Sequence, residues 1–171
     1  DIEKLVNEFS NFARMPRPIL KKINIIEQIN RTLDFIKMSS KTQINLIKKN
    51  KSLFVNADEE QLNRVFINII KNSEEAILEK IEKDPNFIGN IDIEINSINE
   101  YINITLTDNG SGITDAKKAM TPYFTTKKKG SGLGLPIVTK IINEHSGNII
   151  IKNKTDESGV KIQILLPKID A

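Results

Sequence analysis

The chain has 171 residues, 39% of them hydrophobic and 27% charged, enough to bury one core as a soluble globular domain. Its formal net charge of +3 comes from Lys and Asp/Glu interspersed along the chain, with no like-charge run longer than Lys127 to Lys129, so charge makes no case for nucleic-acid binding. The absence of Cys excludes a disulfide framework, a thiolate zinc site and a Cys nucleophile, and no apolar stretch approaches the ~20 residues that span a bilayer, so a cytoplasmic setting is expected.

The opening segment places Ile2, Leu5, Val6, Phe9, Phe12 and Ala13 on one stripe at helical spacing, stopped by Pro16 and Pro18. A helix this short wants a partner surface for its stripe. Because the helical pattern is already running at Asp1, the chain is expected to be a piece of something longer. A second helix is predicted from Ile25, Ile26, Ile29, Leu33 and Ile36, with Asn24 as its cap. The stretch 42–57 reads as two short strands around a turn at Lys49 to Ser52.

Asp58 and Gln61 have capping-box spacing ahead of a long helix to about Ile81, which carries Leu62, Val65, Phe66, Ile69, Ile70 and Ile77. Two cleanly alternating runs, 91–98 and 101–107, predict an antiparallel pair with one buried face. After a glycine-rich stretch comes a helix from Leu133 closed by Gly147, then two strands joined by a polar turn at 154–159. Strands arriving in adjacent pairs between helices predict a two-layer α/β sandwich: a mixed, largely antiparallel sheet with helices on one face.

Three polar constellations lie at the ends of these elements. Asn68 and Asn72 stand four apart on the long helix and interrupt an apolar run. They read either as neutral hard-oxygen ligands for a hydrated Mg²⁺ or as the polar edge of a helix in an Asn-rich chain. "DNGSGI" follows a strand directly; Asp108 can accept a hydrogen bond from an amino group while Gly110 and Gly112 let the backbone pass a flat ligand, or the segment is an ordinary tight turn. "KKKGSGLGL" precedes a helix, where Gly130, Gly132 and Gly134 expose N–H groups suited to phosphate oxygens; a flexible loop before a capped helix is the alternative. Its spacing is neither a dinucleotide fingerprint nor a Walker motif.

Taken in order, "NIIKNSEEA", "DNGSGI", "YFTTK" and "GSGLGLPIV" resemble the N box, first glycine box, F box and second glycine box of the GHKL ATPase superfamily. Within it, they resemble the catalytic ATP-binding domain of sensor histidine kinases, over roughly residues 22–167. The resemblance implies the GHKL (Bergerat) α/β sandwich, with a mobile ATP lid between Gly112 and Gly132. It implies that ATP and Mg²⁺ bind together, with Asp108 on the adenine amino group, Asn72 on the metal, and Gly110, Gly112 and Ile113 shaping the adenine pocket. Phe124 would anchor the lid, and Thr125, Thr126 and Lys127 would approach the phosphates. Gly130, Ser131, Gly132, Leu133 and Gly134 would line them with backbone N–H groups.

Asn68 and Lys127 take the catalytic positions in this reading. Gyrase-like and chaperone-like members carry a Glu where this chain has Asn68, and an amide is no general base, so transfer to an acceptor with slow hydrolysis is expected. Many histidine kinases carry a basic residue where this chain has Glu75, which shifts that phosphate contact onto the lysines. His145 lies in "NEHSG", similar to the family's "EHGG" helix ending, where a cation would meet the negative end of the helix dipole; it reads as structural, with phosphoacceptor as the alternative.

Residues 1–18 resemble the end of a dimerisation hairpin of the nitrogen-regulation (NtrY) type, leaving 19–171 as the catalytic domain. The implied partners are a phosphoacceptor histidine on that hairpin, a response regulator, and a second copy in a full-length homodimer. An anti-sigma-type serine kinase and a non-catalytic nucleotide-binding docking module are the competing readings. A nucleic-acid binder would need exposed aromatics interleaved with basic residues, and only 5% of the chain is aromatic.

Overall fold

The structure is a computed structural model that describes residues 2–113 and 134–171. In chain order the elements are α1 (Ile2–Ala13), β1 (Lys21–Asn24), α2 (Ile25–Lys37), β2 (Gln43–Lys48), β3 (Phe54–Ala57) and α3 (Glu59–Lys83). They continue with β4 (Asn90–Ile98), β5 (Tyr101–Asp108), α4 (Gly134–Glu144), β6 (Asn148–Asn153) and β7 (Val160–Ile169). The strands form one sheet in the order β1-β3-β7-β5-β4-β2, with β6 also on β7. Among the described residues only β2 and β4 run parallel and every other pair is antiparallel, so the sheet is mixed and largely antiparallel as expected.

Strand alternation puts one residue in two on the helical side, and pairing aligns those residues into rows. Ile95 faces Ile104, Ile104 faces Ile164 and Ile164 faces Ile149. The next row is Ile93, Leu106, Ile162 and Ile151. Both rows are buried, under Ile25, Ile26, Ile29 and Leu33 of α2, Leu62, Val65, Phe66, Ile69 and Ile70 of α3, and Ile137, Val138, Ile141 and Ile142 of α4. The opposite face of the sheet is polar: Asn103 donates to Asn96 Oδ1 (3.0 Å) and accepts from Gln163 Nε2 (2.8 Å) across three strands.

The two strands expected around Lys49 to Ser52 both form, and they belong to different parts of the sheet: β3 joins β1 and β7, whereas β2 crosses to the far edge beside β4. β1, "KKIN", was not anticipated; it is short and lysine-rich, and is held as a strand by its register with β3.

The caps mostly follow the sequence. Asn24 Oδ1 accepts from Ile26 N and caps α2. Asp58 Oδ1 accepts from Gln61 N and caps α3, but the reciprocal half of the capping box is replaced. The Gln61 side chain turns away to donate to Pro16 O (2.9 Å), and the Asp58 N–H donates instead to His145 Nε2 (3.0 Å). Asp58 Oδ2 meanwhile accepts from Ile19 N (2.9 Å), so the stretch between α1 and β1 is tied to the start of α3.

His145 is buried beyond the end of α4, with Nδ1 2.8 Å from Ile141 O. A carbonyl needs a donor and a backbone N–H needs an acceptor, so Nδ1 takes the donor role and Nε2 the acceptor role. The structural role expected of His145 agrees with this burial and these two hydrogen bonds. The helix itself ends in a Schellman arrangement, Gly147 N to Ile142 O (2.9 Å) and Ser146 N to Asn143 O (3.1 Å). The left-handed residue is Ser146 (φ 59°), while Gly147 is demanded by the backbone of β7: a Cβ there would lie 2.5 Å from Leu165 O.

Asp58→Ala removes the α3 cap and the tie to Ile19 together. We expect a loss of about 1–2 kcal/mol, at the upper end of N-cap deletions. Urea unfolding should show it as a lower midpoint at unchanged m-value.

Candidate functional site

Asp108 is the last residue of β5 and faces Ile91 in the register, one row beyond Ile93 and Leu106. Its parity with Ile104 and Leu106 turns its carboxylate to the helical side, where it is 2% exposed. A carboxyl group at such a depth needs partners. Ser73 Oγ donates to Oδ2 (2.6 Å), and the Gly110 and Val160 N–H groups donate to Oδ1 (2.9 and 3.2 Å). A carboxylate has about four acceptor positions. Among the described residues three are used, and the remaining one is on Oδ2.

Ser73 was missed as a site residue, though the signal was present. Ile69, Ser73 and Ile77 share one buried stripe of α3 at i, i+4 and i+8, so a hydroxyl there requires a partner across the interface. It follows Asn72 directly in α3. The Asn72 amide faces the first residue of α4: a Cβ on Gly134 would be 3.8 Å from Asn72 Nδ2 and 3.9 Å from Oδ1. Asn68 is half-buried one turn earlier on α3.

The turn after Asp108 is fastened to α3 and β4. Ser111 N donates to Ala76 O (3.1 Å), Ser111 Oγ to Glu79 Oε2 (2.6 Å) and Lys80 Nζ to Asn109 O (3.2 Å). The Asn109 side chain accepts from Asn90 N (2.8 Å) and donates to Ile88 O (3.0 Å). Gly110 is required by contact: a Cβ would come within 2.7–2.9 Å of Ala76 and of Ile77 N on the α3 backbone. Gly112 is required by conformation, at φ 85°. Ile113 packs part-buried against the core.

Asp108, Gly110, Gly112 and Ile113 thus lie on one turn, which Ser73 joins through Asp108, while Asn72, next to Ser73 in the chain, faces Gly134. Phe124, Thr125, Thr126, Lys127, Gly130, Ser131, Gly132 and Leu133 lie outside the described residues, as does the segment expected to form a lid. Also missed were Asn153, Ser158 and Gly159 at the β6–β7 turn, read from sequence only as a polar connection. No group of three or more His, Asp and Glu gathers among the described residues. Any Mg²⁺ here would depend on ligand phosphates and a neutral oxygen such as the Asn72 amide, a donor set that suits this ion.

Residues 57–170 match the family described as histidine kinase-, DNA gyrase B- and HSP90-like ATPase. The chain belongs to this ATPase family. It is 33% identical over 168 residues to the nitrogen regulation protein NtrY of Azorhizobium caulinodans, covering 97% of this chain and 22% of that protein. Sporulation kinase E of Bacillus subtilis is 32% identical over 97% of this chain and 22% of its own length. The chain therefore spans about a quarter of the curated relatives it matches.

Among solved structures, the catalytic domain of the histidine kinase ThkA superposes with a TM-score of 0.74 at 28% identity, covering 88% of this chain and 96% of that one. ThkA in complex with the response regulator TrrA gives 0.78 at 25% identity, over 98% of this chain and 47% of that one. Within the ATPase family, this chain therefore has the fold and sequence of the histidine kinase catalytic domain, and its one-faced α/β sandwich is the family's fold.

Replacing Gly110 by Ala drives a methyl into helix backbone that has no side chain to move. We expect about 1–3 kcal/mol of destabilisation, the range for overpacking, read from the urea midpoint.

Proposed function

We propose that this domain binds ATP with Mg²⁺ and transfers the γ-phosphoryl group to a histidine on a dimerisation hairpin of its parent protein, for relay to a response regulator. The observation that carries the reading is the acceptor position left open, among the described residues, on a buried carboxylate whose other positions are filled by donors. A ligand edge meeting it must donate. Adenine presents an amino group in that place and guanine a carbonyl oxygen, which would set acceptor against acceptor.

The protein's own groups divide the remaining work. Asn72 would hold Mg²⁺ through its amide oxygen, and the metal would supply charge neutralisation. The N–H groups at the start of α4, with Gly130, Ser131, Gly132 and Leu133 before it, hold phosphate oxygens. Lys127, with Thr125 and Thr126, brings charge and donors to the γ-phosphate, and Phe124 anchors their segment. Asn68, an amide in place of a carboxylate, withholds general-base help from water, which favours transfer over hydrolysis.

Residues 1–18 are read as the end of the hairpin and its linker, and 19–171 as the kinase domain. Supporting this, α1 leaves Ile2 and Val6 exposed on its apolar stripe, and the similarity to the NtrY protein extends over 97% of the chain. The TrrA complex of ThkA supports a response regulator as the downstream partner. A cytoplasmic domain of a homodimeric parent is part of this reading.

Asp108→Ala is expected to weaken binding of a fluorescent ATP analogue by about 10- to 100-fold, the range for one hydrogen bond to a charged group. Asn72→Ala should weaken it chiefly when Mg²⁺ is present. Undiminished binding by both variants would refute the site. The full-length parent incubated with γ-labelled ATP should acquire an acid-labile, base-stable label; an acid-stable label would favour a serine kinase.

A further inference from the structure

The β6–β7 connection is more than a polar turn. Asn153, the last residue of β6, places its side-chain amide against the backbone of Ile113: Ile113 N donates to Oδ1 (2.9 Å) and Nδ2 donates to Ile113 O (2.6 Å). A primary amide carries one acceptor and a donor in the arrangement of a peptide group, so this pair reproduces a strand-to-strand bridge between segments 40 residues apart. Further along the connection, Ser158 Oγ donates to Gly110 O and Val160 N to Asp108 Oδ1. The connection is itself braced by Lys154 N to Gly159 O (2.9 Å) and the Lys154–Glu157 ion pair. It also presses directly on β5: a Cβ on Gly159 (φ 137°) would lie 2.0 Å from Asp108 O.

Building on the adenine-nucleotide reading above, we propose that Asn153 is a positioning residue for nucleotide binding: it holds Ile113 and Gly112 where they form the pocket wall beside Asp108. Two features separate this from a general role in stability. Asn153 is exposed and lies at the end of its strand, beyond the buried rows, so its bonds add little to the core. What they fix is the exit of the glycine turn. Gly112 holds φ 85°, and a Cβ there would come within 2.9 Å of Asn153 Oδ1. A turn with glycine's freedom samples other conformations unless something outside it selects one. Asp108 and Gly110 are already fixed by α3 and β7, whereas the only described side chain hydrogen-bonded to Ile113 is Asn153.

The test uses the 171-residue chain, a fluorescent ATP analogue and the urea midpoint of each variant. Asn153→Ala removes both bonds and is expected to raise the Kd about tenfold, the change that one to two net hydrogen bonds carry, with the midpoint nearly unmoved. Asn153→Asp keeps the acceptor but sets a second oxygen against Ile113 O, and should bind no better than Ala. Asn153→Ser restores one bond and should recover part of the affinity. Wild-type affinity in Asn153→Ala, with Asp108→Ala still defective, overturns this proposal and leaves the nucleotide site standing. A rise in Kd no larger than the fall in stability explains overturns it too, reducing Asn153 to a stitch. Intact binding by Asp108→Ala overturns the nucleotide reading, and this proposal with it.

Discussion

One buried carboxylate organises this molecule. Asp108 extends an inward-facing line of branched aliphatic side chains by one position, where the sheet runs out and the helical layer still covers it. Burying such a group without donors costs several kcal/mol, comparable with the net stability of a domain this size. The surrounding elements therefore have to deliver donors to it: a hydroxyl from α3, an N–H from the turn that follows, and an N–H from the first residue of β7. Each donor comes from a different part of the chain, so the arrangement exists only when the helix, the turn and the last hairpin are all docked.

This requirement explains the glycines better than flexibility does. Gly110 lets the turn lie flat on the α3 backbone, which brings its N–H back to Oδ1 of Asp108. Gly159 lets β7 begin against the Asp108 carbonyl, which sets the Val160 N–H within reach of the same oxygen. The close approaches and the hydrogen bonds are two aspects of one packing solution. A side chain at either glycine would push away the donor as well as the backbone.

Much of this was legible in the sequence because the signals are local. The Asn24 and Asp58 caps, the alternation of β4 and β5, and the long apolar stripe of α3 each depend on residues within a few positions of one another. What was illegible depends on partners far along the chain. Nothing within "KKIN" distinguishes a strand from a linker; β3 decides it. Alternation in β2 and β3 marks them as strands but is silent about partners, and three strands come to separate them. The Nε2 partner of His145 was illegible for the same reason, since that N–H belongs to Asp58, 87 residues away. Ser73 was within reach, as a hydroxyl on an otherwise apolar stripe. Asn153 was not, because one more exposed Asn in an Asn-rich chain carries no mark until Ile113 is beside it.

The long helix α3 connects these observations. It runs for 25 residues without Gly or Pro, about 37 Å of continuous backbone, so positions along it are fixed relative to one another. Its first turn receives Ile19 through Asp58 and Pro16 through Gln61, and meets the end of α4 through His145. Its middle presents Asn68, Asn72 and Ser73, and its last turns hold the glycine turn through Ala76, Glu79 and Lys80. At its near end, the Lys140 ammonium of α4 lies 5.6 Å from the Phe12 ring of α1, a cation–π contact that adds to the hydrogen-bonded tie between linker and domain. A rigid rod fastened to the linker at one end and to the Asp108 turn at the other sets the distance between them by geometry alone. The distance between the linker and the candidate site therefore follows from one helix and its two sets of end contacts.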